Sequence, residues 1–301
     1  MAFAGGKPNS ASSAADDLRR SFAYAGEVKN ALRRELSQRN VARAARMVAE
    51  MTYGAMPSVI YCEDEAGVHG NFLPASYQRI LKQADWRARL AKVYTGSRFV
   101  PRSGDRTRRE LECANSSDAL VMNIFCYPGV LRRPGLCSLL GVAAGIRPSF
   151  GFRARIPLKH GGQDRTEIDL KLGELLIEAK LTEGGFQNAR AQLIERYRDL
   201  EAVFDVGRLP FTNGKYASSQ LIRNVLAAHA HEAGYAVFCD QRRQDLIEAC
   251  FGVFSAISSS ELRCRVGVVT WQEIARALPP TVKRFLDEKY GISAGSTGDG
   301  W

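Results

Sequence analysis

Between Ser149 and Thr182 the chain alternates apolar and polar positions with a period of two. The segments SFGFRARIPL, TEIDLKL and ELLIEAKLT therefore read as successive strands. Around this block the apolar period lengthens to that of a helix. On the N-terminal side helices are predicted over about Asp16–Met51 and Tyr77–Val93. NSSDALVMNIFCYPG forms another, with Ser116 or Ser117 as N-cap, Ala119, Met122 and Cys126 on one face, and Pro128-Gly129 as its stop. After the strands come a helix over FQNARAQLIERYRDLEAVF, a helix over about Ser219–Ala233, the apolar strand YAVFCD, the helix QDLIEACFGVFSAI, the strand RVGVVTW, and short helices over 271–278 and 280–290. Helices followed by β-β-β-α-α-β-α-β-α predict an α/β fold, a mixed central sheet flanked by helices and preceded by a helical N-terminal region.

Composition narrows the function class only a little. The 301 residues are 45% apolar and 25% charged, ordinary values for a folded protein. The longest apolar run, Leu139–Ile146, is too short to span a bilayer, and the N-terminus lacks the basic and apolar regions of a secretory signal, so a cytoplasmic location is expected. Lys and Arg outnumber Asp and Glu by 42 to 32, a net +10 that favours an anionic partner. No basic helix has an apolar companion face free for lipid, so nucleic acid is expected and membrane is not. Seven cysteines without a CxxC pair argue against a zinc ribbon and a disulfide framework, and His229 and His231 are spaced for different helix faces.

The chemistry concentrates in TEIDLKLGELLIEAKLTE. Gly173-Glu174 fits a two-residue type II′ hairpin turn, which pairs Leu172 with Leu175. Counting back from the turn sets Asp169 opposite Glu178 and Glu167 opposite Lys180, with Glu167, Asp169 and Lys171 on one face of their strand and Ile168, Leu170 and Leu172 on the other. Facing carboxylates destabilise a strand pair by a few tenths to about 1 kcal/mol. A divalent cation held between them reverses the sign, because Mg²⁺ takes oxygen ligands from one or two carboxylates plus waters. Lys180 projects on the face of Glu178, where it can orient or deprotonate a water or stabilise charge on a phosphate.

Asp169, eight residues, then Glu178-Ala179-Lys180 resembles the D…(D/E)xK signature of the PD-(D/E)xK nuclease superfamily, the restriction-endonuclease-like fold. EAKLTE after a strand, and the upstream SSDALVMNIF, are also similar to a group of bacterial restriction-endonuclease-like proteins. Ile168 stands where that family's signature has Pro. The resemblance spans roughly residues 110–270. It implies a Mg²⁺- or Mn²⁺-dependent endonuclease hydrolysing DNA, with RNA as a second substrate to test. Asp169 and Glu178 would bind the metal, and Lys180 would position or activate the attacking water. Composition, periodicity and the resemblance together divide the chain into an expected disordered tail (1–14), a helical N-terminal region (15–95), a nuclease-like domain (96–291) and a flexible tail (292–301).

Further residues are assigned around that centre. Glu167 is expected to orient Lys180. Glu110 could supply a carboxylate near the first core helix, Asn123 could reach the site from mid-helix, and Glu183 and Gln192 are accessory candidates. Some related nucleases use a Gln and a Tyr one turn apart on the helix after the motif, a spacing that Gln192 and Tyr197 miss. The N-terminal helix, the Arg-dense segment with Arg98, Arg102, Arg106, Arg108 and Arg109, and Gln187 and Arg190 after the motif, are the candidates for phosphate contact. The alternative is a non-catalytic nucleic-acid-binding protein on the same fold; a third class is an assembly module. Oligomeric state stays open, although cutting both strands with one site per chain needs a homodimer or two binding events.

Overall fold

The computed structural model describes residues 10–52, 57–93 and 108–295, with side chains from residue 26 onward. The chain opens with α1 (Ser10–Ala44), followed by the small antiparallel pair β1 (Ala49–Met51) and β2 (Val59–Tyr61), then α2 (Pro74–Lys82), α3 (Ala84–Arg89), α4 (Ser117–Phe125) and α5 (Pro134–Leu140). The strands β3 (Ser149–Pro157), β4 (Gln163–Leu172) and β5 (Leu175–Ala179) come next. They lead into β6 (Ala189–Arg190), α6 (Ala191–Glu195), α7 (Leu200–Val203), β7 (Phe211–Thr212) and β8 (Lys215–Tyr216). The chain ends with α8 (Ser219–Ala230), β9 (Gly234–Cys239), α9 (Gln244–Phe254), α10 (Ser260–Cys264), β10 (Val266–Thr270), α11 (Trp271–Arg276) and α12 (Pro280–Tyr290).

The central sheet has the order β10-β9-β5-β4-β3, antiparallel from β3 to β5 and parallel from β5 to β10. One apolar layer packs α8 and α9 side chains such as Leu221, Val225 and Val253 with Ile168, Leu176 and Val237. The other packs Leu120 and Ile124 of α4, Trp271 and Ile274 of α11 and Phe285 of α12 with Leu170, Ile177 and Phe238. This is the expected mixed sheet between helices. Among the described residues no helix is long and apolar enough to cross a membrane.

Several boundaries differ from those the sequence predicts. α1 begins at Ser10, inside the segment expected to be disordered, and stops at Ala44, because the chain after it pairs β1 with β2. The helix expected over Tyr77–Val93 breaks at Gln83, which is extended, and the break lets Trp86 donate to the Pro148 carbonyl and pack on Phe150. The long helix expected after the hairpin is split into α6 and α7: the backbone of Arg196 and Arg198 bonds to Lys159 and Pro157 at the end of β3 rather than within a helix. Ile292, placed in the expected flexible tail, is fully buried. α1 lies against α12 and α9, with Arg39 donating to the Asp287 carbonyl and Asn40 to that of Lys289.

Candidate active site

The hairpin turns at Gly173, whose φ of +56° suits a type II′ turn, and the ladder runs Leu172↔Leu175, Lys171↔Leu176, Leu170↔Ile177, in the predicted register. It ends there because the next backbone donor, the Ala179 N–H, is taken by the side chain of Asp169, whose Oδ2 accepts it at 2.8 Å. On the other side of β4 the pairing with β3 skips Asp169 and Gly151 as well. Gly151 has φ +64°, and a Cβ on it would lie 2.2 Å from the Arg89 Nη1. The strand is therefore irregular at Asp169, and Ile168 packs in the opposite apolar layer from Leu170 and Leu172 rather than sharing their face.

β5 passes through the middle of the sheet, so Glu178 and Lys180 are both buried. The Lys180 backbone is fixed from both sides: its N–H donates to Phe238 and its carbonyl accepts from the Trp271 indole at 2.8 Å. Lys180 Nζ lies 2.8 Å from Glu178 Oε1 and 3.0 Å from Gln220 Oε1. Gln220 Nε2 donates to Glu178 Oε1 at 2.7 Å, and Asn224 Nδ2 donates to Glu178 Oε2 at 3.0 Å. Gln220 and Asn224 are four apart on α8, one turn, so a single helix face holds the acid and the lysine together.

Electrostatics distinguishes Asp169 from Lys180. The Asp169 carboxyl is pushed well above the ordinary carboxylate range, first by burial, then by the nearby Glu178 and Asp118 carboxylates, with Lys180 and the Ala179 N–H acting against them. Burial alone would lower the Lys180 pKa, but Glu178, then Glu183 and Asp169, push it up to about 12. Lys180 is therefore an ammonium at neutral pH, a donor rather than a base. Among the described residues no group of three or more His, Cys, Asp and Glu side chains is poised to hold a metal. The donor set for a cation is the pair Asp169 and Glu178, enough for Mg²⁺ with water in its other positions. The resistance of Asp169 to ionisation is what a bound cation would relieve, so these residues fit the group.

Glu167 does not reach Lys180. It turns to Arg89 Nη2 at 2.8 Å and Lys92 Nζ at 3.2 Å, because the strands diverge beyond Asp169. Arg89 and Lys92 also meet Asp118 Oδ2, at 2.9 and 2.8 Å, and Lys92 meets Glu110 at 3.1 Å. Burial raises the Glu110 pKa, helped by Asp118 and opposed by Lys92; in Glu167 burial also raises it, but the hydrogen bonds and charges of Arg89 and Lys92 together outweigh burial and lower it. Two cations and three acids thus form a closed ion network beside Asp169. Asp118, on the first core helix, is the carboxylate nearest the centre from that helix; Glu110 sits behind Lys92.

The accessory candidates divide. Glu183 accepts from the Leu181 N–H and holds the loop after Lys180. Asn123 does not contact the centre: it bonds Leu73, Asn71 and Ala119 inside the N-terminal packing. Gln192 is exposed on α6 and makes no hydrogen bond to the three central residues, and Tyr197 donates its hydroxyl to Asp164. Arg98, Arg102 and Arg106 lie outside the described residues. Arg108 pairs with Glu50 at 3.3 Å and Arg109 lies 3.9 Å from Glu112. On α1, Arg39 and Arg43 are engaged internally with Glu35, Asp287 and Gly70. Gln187 and Arg190 are exposed beyond the hairpin, near the start of α8. Sequence reasoning missed Gln220, Asn224, Asp118, Arg89 and Lys92; the spacing of four between Gln220 and Asn224 was the available signal.

Comparison with curated proteins and with solved structures finds no match. A family described as "Restriction Endonuclease associating with ARP" matches residues 39–291, a span that includes the hairpin, α8 and the N-terminal segment supplying Arg89 and Lys92. The chain belongs to this restriction-endonuclease family.

Proposed function

We propose that the protein is a metal-dependent nuclease that hydrolyses phosphodiester bonds of DNA, with Asp169 and Glu178 holding Mg²⁺ or Mn²⁺. The observation that carries this reading is the convergence of Asp169 with the buried Glu178 and a charged, buried Lys180 at the end of one hairpin. Membership of a restriction-endonuclease family supports it.

When bound, the cation supplies Lewis-acid stabilisation of the charge that builds on the phosphate. The protein's own groups do the rest. Lys180 donates from its ammonium to the incoming water or to a phosphate oxygen, and Glu178 and Gln220 fix the direction of that donor. Asn224 and Gln220 hold both Glu178 oxygens, so the carboxylate is oriented before substrate arrives. Arg89 and Lys92 neutralise Asp118 and Glu167, which lowers the local negative charge a phosphate must approach.

The test is incubation of supercoiled and linear DNA with Mg²⁺ or Mn²⁺. Nicked or shortened products that disappear with EDTA are expected. DNA binding without cleavage under any divalent ion would leave the non-catalytic alternative in its place.

A further inference from the structure

α8 has a second working face. Gln220 and Asn224 meet Glu178, while Ser219 and Arg223, each one residue earlier, line a separate cleft of about 480 Å³. Its other walls include Arg190, Arg196, Tyr197 and Lys215. The cleft thus begins on the same helical turn that holds the catalytic acid. Among the described residues no carboxylate lines it. Arg196 is partly neutralised from below by Asp164, at 2.8 Å. Among the described residues Arg190, Lys215 and Arg223 make no ion pair, and the Arg223 Nε, shielded from water, has no hydrogen-bond partner.

This differs from the network beside Asp169, where Arg89 and Lys92 are matched by Asp118, Glu110 and Glu167. Cations of one sign gathered in a depression repel each other and focus a field that draws in anions. At about 480 Å³ the cleft is larger than one phosphate group fills. Its cations outnumber its base-reading amides: Gln187 and Asn188 also line it, the Asn188 Oδ1 accepting from the Ser218 N–H, while Tyr197 is buried with its hydroxyl committed to Asp164 at 2.6 Å. Clustered Arg and Lys side chains without acidic neighbours are suited to backbone phosphate contact.

We infer that this cleft is a binding site for the sugar–phosphate backbone of the substrate strand, flanking the bond that is cut, with Arg190, Lys215 and Arg223 as its phosphate contacts. The inference rests on the nuclease reading for its substrate. It moves the main phosphate-binding surface away from Arg108 and Arg109, which already have acidic neighbours.

The experiment measures binding of the full chain to labelled duplex DNA in EDTA across a series of salt concentrations, with thermal melting of each protein as a folding control. Arg190→Ala, Lys215→Ala and Arg223→Ala are each expected to reduce the slope of log affinity against log salt by about one. The triple variant should lose two to three units of slope, equally on unrelated DNA sequences, while Arg132→Ala, outside the cleft, should bind as the wild type does. If Arg223→Ala does not fold, the double variant of the exposed Arg190 and Lys215 gives the same reading, with a loss of about two. Wild-type slopes in the folded cleft variants, alongside normal DNA binding, would overturn the inference and leave the nuclease reading standing. Absence of DNA binding by the wild type would overturn both.

Discussion

Asp169 is expensive to keep in a metal-free fold: burial and two carboxylates resist its charge, and one backbone N–H and Lys180 offset them. Its contribution to stability is present at low pH and lost as the pH rises through its raised pKa, since the folded state then gives up a proton it holds more tightly than the unfolded chain does. Asp169→Asn keeps an acceptor for the Ala179 N–H without the charge. In EDTA at pH 8 the variant is expected to melt higher than the wild type while losing cleavage; a lower melting temperature would contradict the electrostatic account. His69 behaves in the opposite sense. Burial chiefly, with Lys289 and Arg109 helping and Glu63 opposing, lowers its pKa from 6.5 to about 4. The unfolded chain therefore takes up a proton between those values that the folded chain refuses. Stability from this residue is full above pH 6.5 and falls by up to about 3 kcal/mol as the pH drops to 4. Chemical denaturation of wild type and His69→Gln at pH 7 and pH 4.5 checks this; equal pH dependence in both would refute it. Asp169, Glu178 and Lys180 were legible in the sequence because the strand period and one turn fix their relation. Asp118 was not, since its closeness to Asp169 depends on how α4 docks.

At the scale of elements, the hairpin could be read from local rules alone. Alternation gives the faces, and Gly173 gives the turn and register. The helix that serves the site could not. The segment after the motif has a helical pattern, yet Pro157 and Lys159 capture its backbone around Arg196–Arg198, and α8, some forty residues beyond Glu178, takes the place facing the centre. Nor does alternation reveal that β4 is irregular at Asp169, because the cause lies across the ladder in Gly151. There a side chain meets both a left-handed backbone and the Arg89 guanidinium. Gly151→Ala should therefore destabilise the fold by roughly 1–3 kcal/mol and displace Arg89 from Glu167. Denaturation midpoints measure the first effect. A substitution without cost would mean that β3 can relax at this point.

For the molecule as a whole, the family match from residue 39 to 291 agrees with the packing. The segment before residue 96 supplies Arg89 and Lys92 to the network beside Asp169, and α1 is tied to α12 by Arg39 and Asn40. The net +10 of the chain is divided accordingly. Some arginines are internal ties, some neutralise acids around the centre, and Arg190, Lys215 and Arg223 form a group beside α8 without ion pairs among the described residues. The composition could not show that division, because pairing is a property of the folded surface. The central claim is that the acid pair and Lys180 perform metal-dependent hydrolysis. The most direct test is single-turnover cleavage of a defined duplex in Mg²⁺ by wild type and folded Lys180→Ala, with DNA affinity measured on the same samples in EDTA. The account predicts cleavage by the wild type, a rate at least about 100-fold lower in the variant, and similar affinities. Equal cleavage rates in the two proteins would contradict it.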